Sequence, residues 1–326
     1  MRATGVGSLP GNDIDAALAE VFTELPDFPH LPELPARGPG ADMVGRTAAV
    51  LVELNVDLQP SGWRLVPRPG LDVRRARHLM ERDLNALVPV AATHDGPLKV
   101  QLAGPWTLAA ALQTEHGPAL ADAGAVRDLA ASYAESVAAH LADVRRRVPH
   151  AVLTLQLDEP SLPAVLAGAV PTSSGLSAVR AVPGPDAEAV LRAVVAAAGV
   201  PVVIHCCAVN VPLSLVARTG AAGLSVDLAV ARFDRDTLGA AIEGGLEMWA
   251  GVVPALGPGV PPSPRDVVGP LRRLWQELAL PPQLLVDRTV LTPACGLAGA
   301  SAGWATTAMR LVRQAANILS EEPTHA

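Results

Sequence analysis

A histidine and two cysteines are the residues of this chain whose types and spacing could bind a metal ion. His205 and Cys207 are separated by Cys206 and follow the short apolar run 200–204. Because side chains alternate along a strand, His205 and Cys207 point one way and Cys206 points the other. An imidazole and a thiolate side by side supply half of a tetrahedral zinc site, and Cys295 is the candidate for part of the other half. Buried cysteines without a metal are the alternative, since free cysteine is common in apolar cores.

The strands that must position these residues alternate with helices along the whole chain. Eight runs have the composition of strands and are separated by helical stretches. They begin at Thr4 and continue at Val56–Pro60, Leu98–Ala103, Ala151–Leu157, Val200–Ile204, Gly223–Leu228, Leu246–Val253 and Leu284–Val290. The segment 26–40 has five prolines and is predicted to be a loop.

This alternation predicts an α/β fold of the (β/α)₈ barrel type, formed by one domain over residues 1–326. A doubly wound sheet is the rival, but no phosphate-binding or dinucleotide-binding glycine motif follows the first run. The residues whose side chains could take part in a reaction also come after strand-like runs, among them Ser8, Asp158, His205 and Cys295. In a barrel this places them at the C-terminal face, where active sites lie.

The composition excludes several other classes of protein. Half of the 326 residues are hydrophobic and the formal net charge is -7, so nucleic-acid binding is not expected. Three cysteines, two of them adjacent, do not form a disulfide framework. The N-terminal residues lack the apolar stretch of a secretory signal, and the uncharged run 193–217 is interrupted by Gly199 and Pro201. We therefore expect a soluble cytoplasmic protein without a membrane partner.

Five short motifs together resemble the catalytic domain of cobalamin-independent methionine synthase. They are Gly5-Val-Gly-Ser-Leu-Pro10, Gly104-Pro105, Asp158-Glu159-Pro160, His205-x-Cys207 and Pro293-x-Cys295-Gly296-Leu297. The resemblance spans nearly the whole chain and implies the barrel that this family shares with the uroporphyrinogen decarboxylases. It also implies a zinc cofactor with His205, Cys207 and Cys295 as ligands. Asp227 occupies the position of a fourth ligand, which is a glutamate in the family.

The resemblance further implies a pocket for homocysteine. Asp158 would hold the amino group during catalysis, although a carboxylate that caps the following turn is the alternative. The backbone at Val6, Gly7 and Ser8 would receive the carboxylate group of the amino acid. Two further candidates for contact with the substrate are Glu33, in the proline-rich segment, and Trp106. Trp63 is considered with Trp106, and packing is the alternative for both indoles.

The chain also departs from the family pattern. Full-length members carry an additional N-terminal barrel, which is not expected here. The family places a proton-donating histidine after the seventh strand, but no histidine occurs between Cys207 and His325. Pro163 and Ala164 occupy the neighbourhood of a glutamate that recognises the folate ring. Some short single-barrel relatives are thought to take the methyl group from a methylated corrinoid.

The leading hypothesis is therefore a zinc-dependent methyltransferase that makes methionine from homocysteine. The sequence leaves the methyl donor open between a methylated corrinoid, free or on a corrinoid protein, and methyltetrahydrofolate. Another zinc-thiolate alkyltransferase, such as one acting on coenzyme M, is the alternative within enzymes. A zinc-bearing barrel that binds a thiol amino acid without turnover is the alternative from another class.

Overall fold

A computed structural model describes residues 1–322; residues 323–326, the end of the predicted domain, lie outside the described part. The strands are β1 (Arg2–Ala3), β2 (Asn55–Gln59), β3 (Gly62–Val66), β4 (Pro97–Ala103), β5 (Gln113–Thr114), β6 (Gly117–Pro118), β7 (Val152–Asp158), β8 (Val202–His205), β9 (Gly223–Asp227), β10 (Glu247–Val253) and β11 (Thr289–Pro293). The helices are α1 (Ile14–Glu24), α2 (Met43–Ala49), α3 (Leu71–Val90), α4 (Pro105–Ala111), α5 (Ala123–Arg147), α6 (Leu162–Ala167), α7 (Gly184–Ala198), α8 (Leu213–Arg218), α9 (Arg235–Glu243), α10 (Pro264–Leu278), α11 (Pro282–Asp287) and α12 (Ala302–Glu321). Short 3₁₀ turns occur at Pro35–Arg37, Pro39–Ala41 and Ala119–Ala121.

Seven of the strands form one curled parallel sheet, in the order β1-β11-β10-β9-β8-β7-β4. Parallel strands joined by helices are buried on both faces, which explains the near-continuous apolar runs of the sequence. Leu98, Val100 and Leu102 pack into the main apolar core, which also includes buried side chains of the helices. Lys99 and Gln101, which alternate with them, face the concave interior of the sheet. The structure therefore confirms the predicted α/β fold with a parallel sheet.

The proline-rich segment lies between the two edge strands of this sheet. On one side, the Lys99 N–H donates to the Pro29 carbonyl at 3.0 Å and the Leu31 N–H donates to the Lys99 carbonyl at 2.9 Å. On the other side, the Glu33 N–H donates to the Gly7 carbonyl at 3.1 Å. The prolines in this segment lack an N–H and cannot extend a regular ladder. Residues 29–33 thus occupy a strand position although they were predicted to be a loop.

The run Val56–Pro60 was predicted as a strand of the barrel, and its placement is wrong. The strand exists as β2, but it pairs antiparallel with β3 in a separate sheet of order β2-β3-β5-β6. The tight connection through Pro60 and Ser61, followed by Gly62 with φ +111° at the start of β3, is the local reason for this hairpin. The predicted strand Leu284–Val290 is also displaced, because helix α11 occupies most of it and the strand is Thr289–Pro293.

The interior of the curled sheet is divided between an apolar and a polar region. Phe28, Val203, Trp249 and Val290 form a small apolar cluster that is separate from the main core. The polar region contains the buried residues Lys99, Gln101, Gln156, Asp158, His205 and Ser225. No helix within residues 1–322 is long and apolar enough to cross a membrane.

Candidate metal centre and the polar pocket beside it

Three side chains converge at the C-terminal ends of β8 and β11. The ligand atoms of His205, Cys207 and Cys295 all lie within 4.8 Å of one another, and the two sulfur atoms are 3.5 Å apart. Two sulfurs bound tetrahedrally to one zinc at roughly 2.3 Å each would be separated by about 3.8 Å. The spacing of the cysteines therefore fits a zinc ion closely.

The environment of His205 also fits a metal ligand. Its side chain is buried, and Nδ1 lies 2.9 Å from the Ser225 hydroxyl on the neighbouring strand β9. Nε2 is buried and has no hydrogen-bond partner among the described residues. A proton on Nδ1 that is donated to Ser225 leaves the Nε2 lone pair free, which is the usual arrangement of a histidine that binds a metal.

The two cysteines differ in acidity. The pKa of Cys295 is lowered to about 4, chiefly by the hydrogen bond with the Cys207 thiol and further by the nearby His205 imidazole. The pKa of Cys207 is raised, because it keeps the proton in this hydrogen bond and because it is partly buried. One sulfur is therefore ready to bind a cation, and a bound cation would favour loss of the second proton.

Asp227, the predicted fourth ligand, ends strand β9 but does not belong to this cluster of ligand atoms. One of its carboxylate oxygens accepts a hydrogen bond from the Ala229 N–H at 2.9 Å. This short aspartate turn uses part of the side chain's hydrogen-bonding capacity close to its own backbone. The structure brings three of the four predicted ligands together, and a ligand role for Asp227 stays a prediction.

Asp158 lies beside the metal centre, at the end of β7 and in register with His205. Its carboxylate accepts a hydrogen bond from Gln156 Nε2 at 2.6 Å. The donor is thus a side chain of β7 and not a backbone N–H of the following turn. Burial raises the pKa of Asp158 to about 7, and the charges of His205 and Lys99 act in the opposite direction. A buried carboxylate of this kind is suited to receive a cationic group of a ligand.

The adjacent Glu159 has a different role. Its carboxylate accepts hydrogen bonds from the Trp106 and Thr107 backbone N–H groups at 2.9 and 2.8 Å, and from the Thr107 hydroxyl at 2.7 Å. It thereby caps the N-terminus of α4. A Cβ atom at Gly104 would lie 2.3 Å from Glu159 Oε1, so this position requires glycine. The Gly104-Pro105 and Asp158-Glu159 motifs therefore form one structural unit.

Both tryptophans considered for the pocket are held by packing. Trp106 is buried on the first turn of α4, and its indole N–H donates to the Ala187 carbonyl on α7 at 3.1 Å. Trp63 is buried on β3 in the smaller sheet, where a Cβ atom at Gly45 would meet its ring at 2.9 Å. These contacts correspond to the packing alternative for each indole.

The glycine-rich turn is joined to the cysteine loop on one side. The Ser8 carbonyl accepts a hydrogen bond from the Leu297 N–H at 2.7 Å. A Cβ atom at Gly296 would lie 2.1 Å from Ser8 Oγ, and one at Gly7 would lie 3.0 Å from the Gln101 side chain. The two glycines thus allow the backbone around Ser8 to approach within a few ångströms of Cys295.

The turn is joined to Glu33 on its other side. The backbone of Glu33 donates to the Gly7 carbonyl and accepts from the Leu9 N–H at 2.9 Å. Its carboxylate is buried, with Oε1 3.6 Å from Nε of Arg46. Burial raises the pKa of Glu33, and Arg46 is the largest influence in the opposite direction. The structure therefore places Glu33 next to the turn formed by Val6, Gly7 and Ser8, and its contact with the substrate stays a prediction.

Four residues that shape the site were not predicted from the sequence. They are Lys99, Gln101, Gln156 and Ser225, which all face the interior of the sheet. A signal for three of them is present in the sequence, because polar residues alternate with leucine and valine in Leu98–Leu102 and Leu153–Leu157. This alternation inside buried strands indicates a polar interior of the curled sheet.

The comparisons with known proteins agree with this arrangement. The model of the family "Cobalamin-independent synthase, Catalytic domain" matches residues 1–318. A solved structure of a B12-independent methionine synthase from Shewanella sp. W3-18-1, in complex with selenomethionine, is similar with a TM-score of 0.67. It is 11% identical in sequence, and the alignment covers 99% of each chain. At that identity the likeness concerns the fold.

Two further results add no functional information. A (putative) lactate oxidase from Pediococcus acidilactici aligns with 100% of this chain and 93% of its own at 11% identity, but its TM-score of 0.29 is too low to carry an argument. No curated protein sequence gives a significant match. The family model covers almost the whole chain, including all five motifs and the three clustered ligands. The chain therefore belongs to the family of the cobalamin-independent methionine synthase catalytic domain.

Proposed function

We propose that this chain is a zinc-dependent methyltransferase that transfers a methyl group to the thiol of homocysteine and forms methionine. The observation that carries the proposal is the cluster of His205, Cys207 and Cys295 next to the buried carboxylate of Asp158. The proposal includes one catalytic (β/α)₈ barrel over residues 1–326, with the segment 29–33 as the eighth member of its wall.

His205, Cys207 and Cys295 are the residues that would hold the zinc ion. When bound, zinc lowers the pKa of a coordinated thiol and keeps the sulfur in the nucleophilic thiolate form at neutral pH. The unpartnered Nε2 of His205 and the short distance between the two sulfurs support this assignment. Asp227 is retained as the candidate for a fourth, exchangeable ligand.

The other residues orient the amino acid. Asp158 binds the ammonium group, and the backbone of Val6, Gly7 and Ser8 receives the carboxylate. This places the substrate sulfur towards Cys207 and Cys295. The sulfur attacks the methyl carbon, a sulfur–carbon bond forms, and the donor leaves with the electron pair of its broken bond.

The polar pocket also favours homocysteine over coenzyme M. Coenzyme M carries a sulfonate and no ammonium group, so the carboxylate of Asp158 would repel it rather than bind it. Glu33 adds a second carboxylate close to the glycine-rich turn. An α-amino acid presents both a cation and an anion, which matches a carboxylate and a backbone turn side by side.

The test combines metal analysis with turnover. Purified protein should contain about one zinc per chain, and Cys295→Ser should reduce zinc occupancy sharply because it removes one thiolate ligand. Cys206→Ser is the matched control, since Cys206 is buried in the main core outside the ligand cluster. Equal zinc content in both variants would refute the assignment of Cys295.

Methyl transfer is then measured with homocysteine, coenzyme M and no thiol, each with methylcobalamin or methyltetrahydrofolate. Formation of methionine over many turnovers supports the proposal. Binding of homocysteine without any product would indicate the non-catalytic zinc barrel instead. Faster methylation of coenzyme M than of homocysteine would show that coenzyme M is the better substrate and would refute the proposal.

A further inference from the structure

Lys99 is the only lysine of the chain, and its side chain is fully buried beneath the glycine-rich turn. Its ammonium donates to the Val6 carbonyl at 2.7 Å and to Gln101 Oε1 at 3.1 Å. Gln156 Nε2 donates to the same Val6 carbonyl at 2.8 Å. Two donors from the interior of the sheet therefore hold a single carbonyl oxygen of the turn.

A buried ammonium group requires compensation, because removing it from water is costly. Burial lowers the pKa of Lys99 to about 7, and the nearby carboxylates of Asp158 and Glu33 act in the opposite direction. Neither carboxylate forms an ion pair with Lys99 within 4 Å in the described chain. The direct partners of the ammonium are thus the turn and Gln101, and not the acids that would bind the substrate.

The contact of Lys99 with the Val6 carbonyl also determines the direction of the Gly7 N–H, because both groups belong to one peptide bond. Residues 1–322 contain no cis peptide bond. The C=O and N–H groups of a trans peptide point in opposite directions. With the Val6 carbonyl held towards Lys99 and Gln156, the Gly7 N–H must point away from these two side chains. The positive ammonium that donates to the carbonyl oxygen also polarises the peptide and makes its N–H a stronger donor.

We propose that Lys99 is a positioning residue, which orients the peptide between Val6 and Gly7 so that the Gly7 N–H binds the carboxylate of the amino-acid substrate. The inference deepens the proposed function and rests on it for the identity of the substrate. Lys99 itself does not touch the substrate in this view. Its effect should therefore depend on whether the thiol carries a carboxylate group.

The test compares Lys99→Met with wild type for two thiols, L-homocysteine and 3-aminopropane-1-thiol, which lacks the carboxylate. Lys99→Met should weaken homocysteine binding roughly 10- to 100-fold, as expected when a hydrogen bond to a charged group is lost. The affinity for 3-aminopropane-1-thiol should fall much less than that for homocysteine, and the zinc content should stay unchanged. Lys99→Gln, which keeps an N–H donor, should restore part of the homocysteine affinity.

Thr154→Val is the matched control, because Thr154 on β7 is buried and pairs in register with Lys99 on β4. It should leave both affinities unchanged. If Lys99→Met weakens both thiols equally, Lys99 has only a structural role and the inference is wrong. Lys99→Gln supplies the same comparison if Lys99→Met does not fold.

A crystal structure of Lys99→Met gives a readout that does not depend on the substrate. The Val6 carbonyl should turn away from β4 when the ammonium is lost, and an unchanged carbonyl would overturn the inference. If wild type binds no homocysteine, the proposed function fails. The orientation of the Val6 carbonyl in the variant still decides the role of Lys99 in that case.

Discussion

At the scale of single residues, two neighbouring acids lie in different surroundings. Asp158 and Glu159 follow one another at the end of β7, so their side chains point to opposite faces. Glu159 turns towards α4 and caps its first turn, whereas Asp158 faces the interior next to His205. Substitution of each acid should therefore affect a different property of the protein.

We expect Asp158→Asn to weaken homocysteine binding by about 1.5–3 kcal/mol, because a charged hydrogen bond to the ammonium group is lost. Its thermal stability should change little, since an asparagine still accepts from Gln156. Glu159→Gln should show the reverse pattern, with lower stability caused by a weaker cap and nearly unchanged affinity. Calorimetric titration and thermal denaturation of both variants check this. Equal loss of affinity in the two variants would contradict it.

The residues that were predicted are those whose chemistry is rare. The chain has three cysteines, so the candidate metal centre could be predicted from Cys207, Cys295 and a histidine at the right spacing. Ser225 could not be predicted, because serine is common and its contact with His205 depends on the register of β8 and β9. The contact of Lys99 with the Val6 carbonyl could not be predicted for the same reason, since Val6 lies 93 positions away in the sequence.

At the scale of elements, the proline-rich segment is fixed from outside by a buried charge cluster. Asp83 on α3 accepts hydrogen bonds from Arg37 at 2.6 and 2.8 Å and from Arg46 at 2.5 Å. Arg37 belongs to the segment itself, and Arg46 approaches Glu33 at 3.6 Å. This cluster connects helix α3 to the part of the wall that carries Glu33.

We expect Asp83→Asn to lower the free energy of unfolding by about 3–5 kcal/mol, because it leaves buried Arg37 without its counter-charge and leaves Arg46 only the longer contact with Glu33. Asp128→Asn is the control, since Asp128 pairs with Arg127 on the exposed surface and such pairs contribute about 0–1 kcal/mol. Denaturant titrations of both variants measure the difference. A similar small loss in the two variants would show that Asp83 does not fix the segment.

Helix α5 carries a buried histidine that should make stability depend on pH. Burial lowers the pKa of His140 to about 4 from 6.5. Above pH 6.5 both the folded and the unfolded state hold it neutral. Below that pH the unfolded state takes up a proton that the folded state excludes, so stability falls as the pH falls towards 4.

At about 1.4 kcal/mol per pH unit, His140 should remove roughly 2 kcal/mol of stability between pH 7 and pH 5. His140→Leu should abolish this part of the loss, whereas His78→Leu, an exposed position on α3, should not. Chemical denaturation at the two pH values gives the comparison. Parallel losses in wild type and His140→Leu would exclude His140 as the responsible group.

The elements were predictable where periodicity and chemistry agreed. The buried parallel strands β4, β7, β8, β9 and β10 follow the predicted runs closely. The errors concern strands whose partners are not determined by local sequence. The run Val56–Pro60 has the composition of a strand but pairs with the next strand, and residues 29–33 lie between the two edge strands despite their prolines. Strand composition indicates extended backbone, but the partner depends on contacts across the whole chain.

At the scale of the whole molecule, the two halves of the expected reaction are unequally represented. The residues proposed to bind the thiol substrate converge from β1, β7, β8 and β11 at one end of the sheet. The end of β10 and the loop after it lie at the same end of the sheet, and residues Gly251 to Pro262 are only glycine, alanine, valine, leucine and proline. Leu256 and Val260 of this loop are exposed. The chain thus offers no side-chain proton donor where the family uses a histidine.

We therefore expect a methylated corrinoid to be a better methyl donor than methyltetrahydrofolate. A folate leaving group must gain a proton, and general acid catalysis typically contributes about 10²–10⁴ in rate. A corrinoid that leaves as cob(I)alamin needs no proton. The absence of a proton-donating side chain from residues 251–262 should therefore not slow methyl transfer from it. Single-turnover transfer to homocysteine from each donor under matched conditions measures the ratio, and Cys295→Ser with both donors gives the uncatalysed background. Faster transfer from methyltetrahydrofolate would refute this expectation and would indicate a proton path through Asp158, Glu159 or bound water.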